Sequence, residues 1–199
     1  MQSQNPNIYN DLLKGEVILW EGRPTPSINF NRKDLFLIPF SIVWGSFAFY
    51  WEGLVVWQSI IKDTGMPLIF PIWGIPFVLA GMYFIFGRFI YKKIKKDKTW
   101  YFLTNKRAII YCNLGEKNIN TANLSSTSTY NISTQSNGYG TITFGQPSFL
   151  ADMYANTGMD FFGKMYGLPT PAFYDIKDAE IVYRLALETN AQTVQSENN

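Results

Sequence analysis

Two long apolar runs, at 35–61 and 66–90, constrain this chain more than any other feature. The first run contains a few polar residues, among them Glu52, and the second carries one charge, Arg88, near its end. At 1.5 Å of rise per residue, each run exceeds the roughly 20 residues that cross a hydrocarbon core of about 30 Å. The sequence therefore predicts two transmembrane helices joined by a tight turn at 62–65.

Positive charge gathers at one end of this predicted hairpin. Arg32 and Lys33 precede the first run, and five lysines follow the second: Lys92, Lys93, Lys95, Lys96 and Lys98. By the positive-inside rule, this asymmetry predicts a multi-pass protein of the cytoplasmic (inner) membrane with both termini in the cytoplasm. The five lysines are also candidate contacts for anionic lipid headgroups, although a role in topology alone needs no ligand.

Glu52 in the first run allows two interpretations. A carboxylate inside a membrane helix is typical of an ion or proton path. Alternatively, Glu52 lies near the outer surface and reaches headgroup water beside Trp51 and Trp57, which belong to an aromatic belt.

After Thr99 the pattern becomes that of β structure. Apolar runs at 100–103 and 108–112 flank a polar turn, which predicts a hairpin, and further short strands follow. An earlier run at 16–24 predicts one more strand. An amphipathic helix is predicted after Asp175, so the strands and helix together indicate a small open barrel closed by a terminal helix.

Composition excludes several chemistries. The sequence has no histidine, which excludes Ser-His-Asp and Cys-His catalysis and histidine-containing zinc sites. The single cysteine, Cys112, cannot form an internal disulfide, and a net charge of +2 is too small to indicate nucleic-acid binding. No catalytic residue, metal site or cofactor is predicted.

Four segments carry a resemblance to a known family. They read GEVILWEGRP at 15–24, DLFLIPFSIVWG at 34–45, GRF at 87–89 and YFLTNKR at 101–107. In this order they resemble the bacterial membrane proteins that contain a PH domain, and the similarity spans about residues 12 to 190. The resemblance implies a PH-like fold, a partly open β-barrel closed by a C-terminal helix, on the cytoplasmic side of a two-span hairpin.

The resemblance implies neither a settled activity nor catalytic residues. We therefore expect a membrane-anchored, non-enzymatic interaction module whose PH-like domain binds a protein or lipid at the inner membrane surface. The expected partner is a membrane lipid or an unidentified protein. A second copy of this chain is one candidate for that protein. The alternative is an oligomeric component of membrane transport or permeability.

The expected organisation has five parts. They are a disordered tail at 1–11, a strand and approach to the membrane at 12–34, the transmembrane hairpin at 35–90, the PH-like domain at 91–190 and a disordered tail at 191–199.

Two features of the predicted domain are candidate binding elements. In the hairpin turn, Lys106 and Arg107 form a possible ligand-binding pair, unless the arginine packs back along a strand. The connection at 146–173 is long and rich in aromatic residues and methionine. It either folds as an extra strand or short helix over the barrel, or rests on the bilayer or a second subunit.

Overall fold

The computed structural model of the chain describes residues 7–25, 32–62, 64–125, 129–135 and 138–197. The chain separates into two compact units. A helical unit contains residues 30–92 together with 157–159, and a sheet unit contains the remaining residues.

The helical unit is built on two long helices. The first, α1 (Arg32–Val56), ends in a wider π-helical turn, Trp57–Ile61. The second comprises α2 (Ile69–Met82), a π-helical turn at Tyr83–Gly87 and α3 (Arg88–Asp97), whose last residues belong to the sheet unit. We call this continuous helix the second long helix.

Both long helices have the length and composition of membrane spans. Lys33–Ile61 and Ile69–Asp97 are each 29 residues long, or about 43 Å at the usual helical rise. In the most apolar stretch of each helix, only 28% is buried for the first and 17% for the second. Because core helices of soluble proteins are mostly buried, this exposure agrees with two helices that could span a membrane.

Small residues allow α1 and α2 to approach closely. Gly81 faces Gly45, and a Cβ added to Gly81 would lie 3.2 Å from the Cα of Gly45. A Cβ added to Gly45 would lie 2.5 Å from the end of the Ile85 side chain. This agrees with the role of small residues in membrane helix pairs, where backbone approach provides dispersion contacts.

The sheet unit contains two antiparallel sheets. The first has the order β1 (Ile18–Gly22), β2 (Thr99–Thr104), β3 (Arg107–Asn113) and β4 (Lys117–Asn123). The second has the order β5 (Tyr130–Thr134), β6 (Tyr139–Phe144) and β7 (Ala172–Lys177). Two short helices, α4 (Phe149–Tyr154) and α5 (Asp160–Lys164), lie between β6 and β7, and α6 (Ala179–Glu197) ends the described chain.

Side chains from both sheets and α6 form one core. The rings of Tyr101 in β2 and Phe144 in β6 each lie 4.8 Å from the ring of Phe173 in β7. Val182 and Ala186 of α6 complete the same buried cluster. The predicted β-hairpin is confirmed, because β2 pairs with β3. The predicted terminal helix is confirmed as α6.

The structure corrects three details of the sequence-based expectation. Residues 172–177 form β7, whereas the sequence indicated a connection followed by a helix. The expected tail at 191–199 is helical to Glu197, because residues after Leu187 continue α6. In the other expected tail, Ile8 is buried against Phe102 and Ile109, since β2 and β3 present a second apolar face.

Candidate functional site

Charged side chains near the C-terminal end of the second long helix are held by carboxylates. In the helical unit, the Nη1 atom of Arg88 lies 2.9 Å from Oδ1 of Asp34, at the start of α1. The Nζ atom of Lys92 lies 3.3 Å from the other oxygen of the same carboxylate. All three side chains are buried, so the group joins the ends of two helices through a desolvated charge network.

Residues 157–159 pack against this part of the helical unit. The hydroxyl of Tyr83 donates a hydrogen bond to the carbonyl of Gly158. Gly158 has a φ of +83°, and a Cβ at this position would lie 2.0 Å from the carbonyl oxygen of Arg88. Glycine is therefore required here both by its conformation and by the close backbone approach.

The sheet unit holds the next two lysines. The Nζ atom of Lys96 lies 2.8 Å from Oδ2 of Asp175, and both side chains are buried. Asn156 donates a hydrogen bond to the same carboxylate oxygen. The Nζ atom of Lys95, which is about one third exposed, lies 2.9 Å from Oδ1 of Asp160.

The structure thus divides the five predicted headgroup lysines into two groups. Lys92, Lys95 and Lys96 form ion pairs within the chain, whereas Lys93 and Lys98 are exposed. Headgroup contact by this segment remains a prediction, and the two exposed lysines are the ones whose position suits it.

The predicted pair in the β2–β3 turn is also engaged. Arg107 donates hydrogen bonds to both carboxylate oxygens of Glu16, at 2.9 and 3.1 Å, and to the carbonyl of Asp11. Lys106 donates to the carbonyl of Lys14 but is exposed. Arg107 therefore packs back on the N-terminal segment, and a ligand would have to compete with Glu16 for it.

Glu16 is the buried centre of this contact. Burial by itself raises the pKa of Glu16, but hydrogen bonds from Arg107, the Leu13 N–H group and the Thr104 hydroxyl outweigh it. The pKa of Glu16 is consequently held below its ordinary value, and the carboxylate stays charged at neutral pH.

Glu52 faces α2 instead of pointing away from the helix pair. A Cβ added to Gly74 would lie 1.6 Å from Oε2 of Glu52, so the carboxyl group occupies the space that a side chain would need. The same oxygen is buried and has no hydrogen-bond partner among the described residues. A buried, unpaired oxygen is costly for a charged carboxylate, although the Glu52 side chain as a whole is only half-buried. Contact of Glu52 with headgroup water stays a prediction.

The connection before β7 exposes several large apolar side chains, which lie at 149–168. The exposed members, which we call the aromatic patch, are Phe149, Leu150, Phe161, Met165, Tyr166 and Leu168. Inner residues of the same segment hold α4 against α5, since the ring of Tyr154 lies 5.8 Å from that of Phe162. The connection therefore folds as two short helices, as one of the two interpretations expected. Contact of its exposed apolar side chains with the bilayer or a second subunit stays a prediction.

Within the part of the chain that the structure describes, no three carboxylate or thiol side chains lie close enough together to hold a metal ion. An open groove on α1 is lined by apolar and aromatic residues, including Phe49, Tyr50 and Trp57 around Gly53. Its lining supplies no charged group that would select a polar substrate.

Sequence reasoning identified the cations but missed their partners. None of the four carboxylates, Asp34, Asp160, Asp175 and Glu16, was predicted as an ion-pair partner. Each lies far along the chain from its cation, up to 91 residues for Glu16 and Arg107, so no local pattern links them.

Comparison of the chain with protein-family models, with curated proteins and with solved structures finds no match.

Proposed function

We propose that this chain is a membrane-anchored, non-enzymatic binding module of the cytoplasmic membrane. The two long helices insert as a hairpin, both termini lie in the cytoplasm, and the sheet unit binds a protein or a lipid at the inner surface. The two sheets of four and three strands and the terminal helix agree in element order with the PH-like barrel that the sequence resemblance implies.

The observation that carries this proposal is the contact between Arg88 and Asp34. At 2.9 Å it brings the start of α1 and the basic end of the second long helix together in the helical unit. The apolar, exposed middle parts of both helices then suit lipid, and the charged ends lie on one side. The positive-inside rule assigns that side to the cytoplasm.

Cysteine accessibility in intact cells tests the topology. In a Cys112→Ser background, a cysteine introduced at Thr64, between the helices, should react with a membrane-impermeant maleimide added outside. A cysteine at Lys14, an exposed position of the sheet unit, should react only after the cells are permeabilised. Labelling of the Lys14 position in intact cells, with protection of the Thr64 position, would reject the proposed orientation.

Lipid co-purification tests binding at the inner surface. Lys93→Gln with Lys98→Gln removes two exposed cations and leaves the ion pairs of Lys92, Lys95 and Lys96 in place. We expect the ratio of anionic to neutral lipid that co-purifies in mild detergent to fall. Lys62→Gln, an exposed lysine in the turn between the helices, is the matched control; equal effects at both ends would count against headgroup contact at the basic segment.

A second candidate function, membrane transport in an oligomer, is favoured by one observation. The unpartnered Oε2 atom of Glu52 against Gly74 is the kind of intramembrane carboxyl that binds protons or cations in transporters. Reconstituted in liposomes, the protein would then carry a proton or cation flux that Glu52→Gln abolishes and Gln58→Ala preserves. Absence of flux in the unsubstituted protein would leave the binding module as the only candidate.

A further inference from the structure

The aromatic patch is unusually apolar for the surface of a sheet unit. Leu168, Phe149 and Met165 are 81%, 79% and 76% exposed, respectively. Large apolar side chains grouped on one segment are uncommon on a surface that only meets water, and they mark a site of contact with a protein or a membrane. The composition of the patch, with Phe, Leu, Met and Tyr, suits either contact.

The charges of this segment separate the two possibilities. Residues 149–168 contain three charged side chains: Asp152, Asp160 and Lys164. Asp152 accepts hydrogen bonds from the N–H groups of Ser148 and Thr170, and from the Thr170 hydroxyl. This carboxylate is therefore engaged in closing the loop on itself.

Asp160 is engaged as well. It is 12% exposed, forms the ion pair with Lys95 and accepts a hydrogen bond from the N–H group of Asn156. Lys164, one turn further along α5, is exposed. Both carboxylates of the segment are thus engaged within the chain, whereas its apolar side chains and its one cation are exposed, the combination that anionic lipid attracts.

The same ion pair fixes the position of α5. Lys95 lies in the last turn of the second long helix, and its contact with Asp160 holds the start of α5 beside that turn. If this helix crosses the membrane, as the proposed function requires, its last turn lies at the level of the headgroups. The start of α5 then lies close to that level as well.

We propose that the aromatic patch inserts into the headgroup layer of an anionic membrane, as a second, surface-lying membrane contact of the chain. Phe149, Phe161, Met165 and Leu168 enter the boundary between headgroups and acyl chains, and Lys164 binds lipid phosphate. This inference rests on the proposed function, because it needs the helices in the membrane.

Fluorescence quenching in nanodiscs tests the insertion with the full-length chain. In the Cys112→Ser background, an environment-sensitive dye is attached to a cysteine at Leu168 or, separately, at Phe161. Leu114, an exposed leucine in the β3–β4 turn, is the matched control, and Ile72 on α2 is the control for the span. The discs contain phosphatidylcholine and phosphatidylglycerol, with the nitroxide quencher on the headgroup or deep in the acyl chain.

The proposal requires headgroup nitroxide to quench the dye at 168 and 161 several-fold more than at 114. It also requires quenching to weaken in discs of phosphatidylcholine alone, and Lys164→Gln to weaken it in the anionic discs. Deep quenching at 72 with no quenching at 168 would overturn this inference while the membrane anchor stands. No quenching at 72 would overturn the proposed function, and this inference with it.

A protein-covered patch gives a different result. If a second copy covers it, the dye at 168 shifts to the blue without quenching by lipid nitroxide, and cysteines at 168 cross-link two chains. That outcome would also overturn the proposal, since the patch would then be a subunit interface.

Discussion

Replacement of Asp175 by asparagine should destabilise the sheet unit by about 3–5 kcal/mol, because it removes the countercharge of a buried lysine. The Nζ atom of Lys96 lies 2.8 Å from the Asp175 carboxylate, and the two side chains are only 4% and 2% exposed. Asparagine has nearly the same shape and tolerates the φ of +53° found at this position, so the backbone should not add to the loss.

Two ion pairs of the same unit provide graded controls. The side chains of Lys95 and Asp160 are 35% and 12% exposed, and those of Lys117 and Asp11 are 49% and 28% exposed. Exposed pairs contribute about 1 kcal/mol or less, so Asp11→Asn should have a small effect and Asp160→Asn an intermediate one.

A double variant separates the loss of charge balance from the loss of packing. Lys96→Met with Asp175→Asn removes the cation as well as the anion and should recover most of the stability that Asp175→Asn loses. A double variant as unstable as the single one would assign the loss to packing or hydrogen bonding instead.

Hydrogen exchange measured by mass spectrometry in detergent reports the stability of the sheet unit separately from that of the helical unit. The slowest amides of β2 and β3, which flank the buried side chains of Phe102 and Leu103, report the free energy of opening. If Asp175→Asn lowers that free energy no more than Asp11→Asn does, the reasoning from burial is refuted.

Three further predictions concern other parts of the chain. Gly158→Ala should lower the free energy of unfolding by about 1–3 kcal/mol more than Gly115→Ala, as measured by thermal unfolding. Both glycines have a positive φ, but of the two added Cβ atoms the one at 158 meets a carbonyl oxygen, at 2.0 Å. Equal losses of stability would contradict the close approach at Gly158. Gly45→Leu should lower the melting temperature of the helix pair in detergent, because a Cβ at 45 meets the Ile85 side chain at 2.5 Å. Gly53→Leu should not, because a Cβ at 53 would meet no described atom within 4 Å beyond its own helix backbone. Glu16→Gln should make the stability of the protein less sensitive to acid. A carboxylate with a lowered pKa contributes stability that is present above its ordinary pKa of 4.5 and is lost as the pH falls through the folded-state pKa. Denaturant midpoints of both proteins from about pH 6 to about pH 2 measure this loss, and parallel curves would refute the prediction.

The sequence predicts the elements whose signal is local. The β2–β3 hairpin follows from two β-rich runs around a polar turn, and the observed register pairs Leu103 with Ala108 across that turn. The two long helices follow from hydropathy and length. Each of these features depends on neighbours within a few residues.

The strand β7 has no such local signal. Asp175 interrupts its apolar alternation with a positive φ of 53°, a conformation that is uncommon outside glycine. Lys96 and Asn156 bind its carboxylate, so tertiary partners stabilise a residue that the local pattern assigns to a loop. Propensity could not detect those partners.

The ion pairs of the basic segment could not be predicted for a related reason. A run of lysines after an apolar helix is typical of a solvated basic segment, and the sequence contains no sign that Lys92 and Lys96 turn inward. Their burial depends on Asp34 and Asp175, which only the folded chain brings near. Similarly, the side of α1 that meets α2 decides the surroundings of Glu52, and hydropathy does not specify that side.

The pairing of β1 with β2 across the two long helices sets an order for biogenesis. The ribosome synthesises Arg107 91 residues after Glu16, a delay of roughly 5–18 s at the usual elongation rates. During that interval β1 cannot pair with β2, because β2 has not yet been completed, while both long helices leave the ribosome. Both long helices are therefore complete before β1 can pair, and the first sheet forms only after the whole of the second long helix has been synthesised.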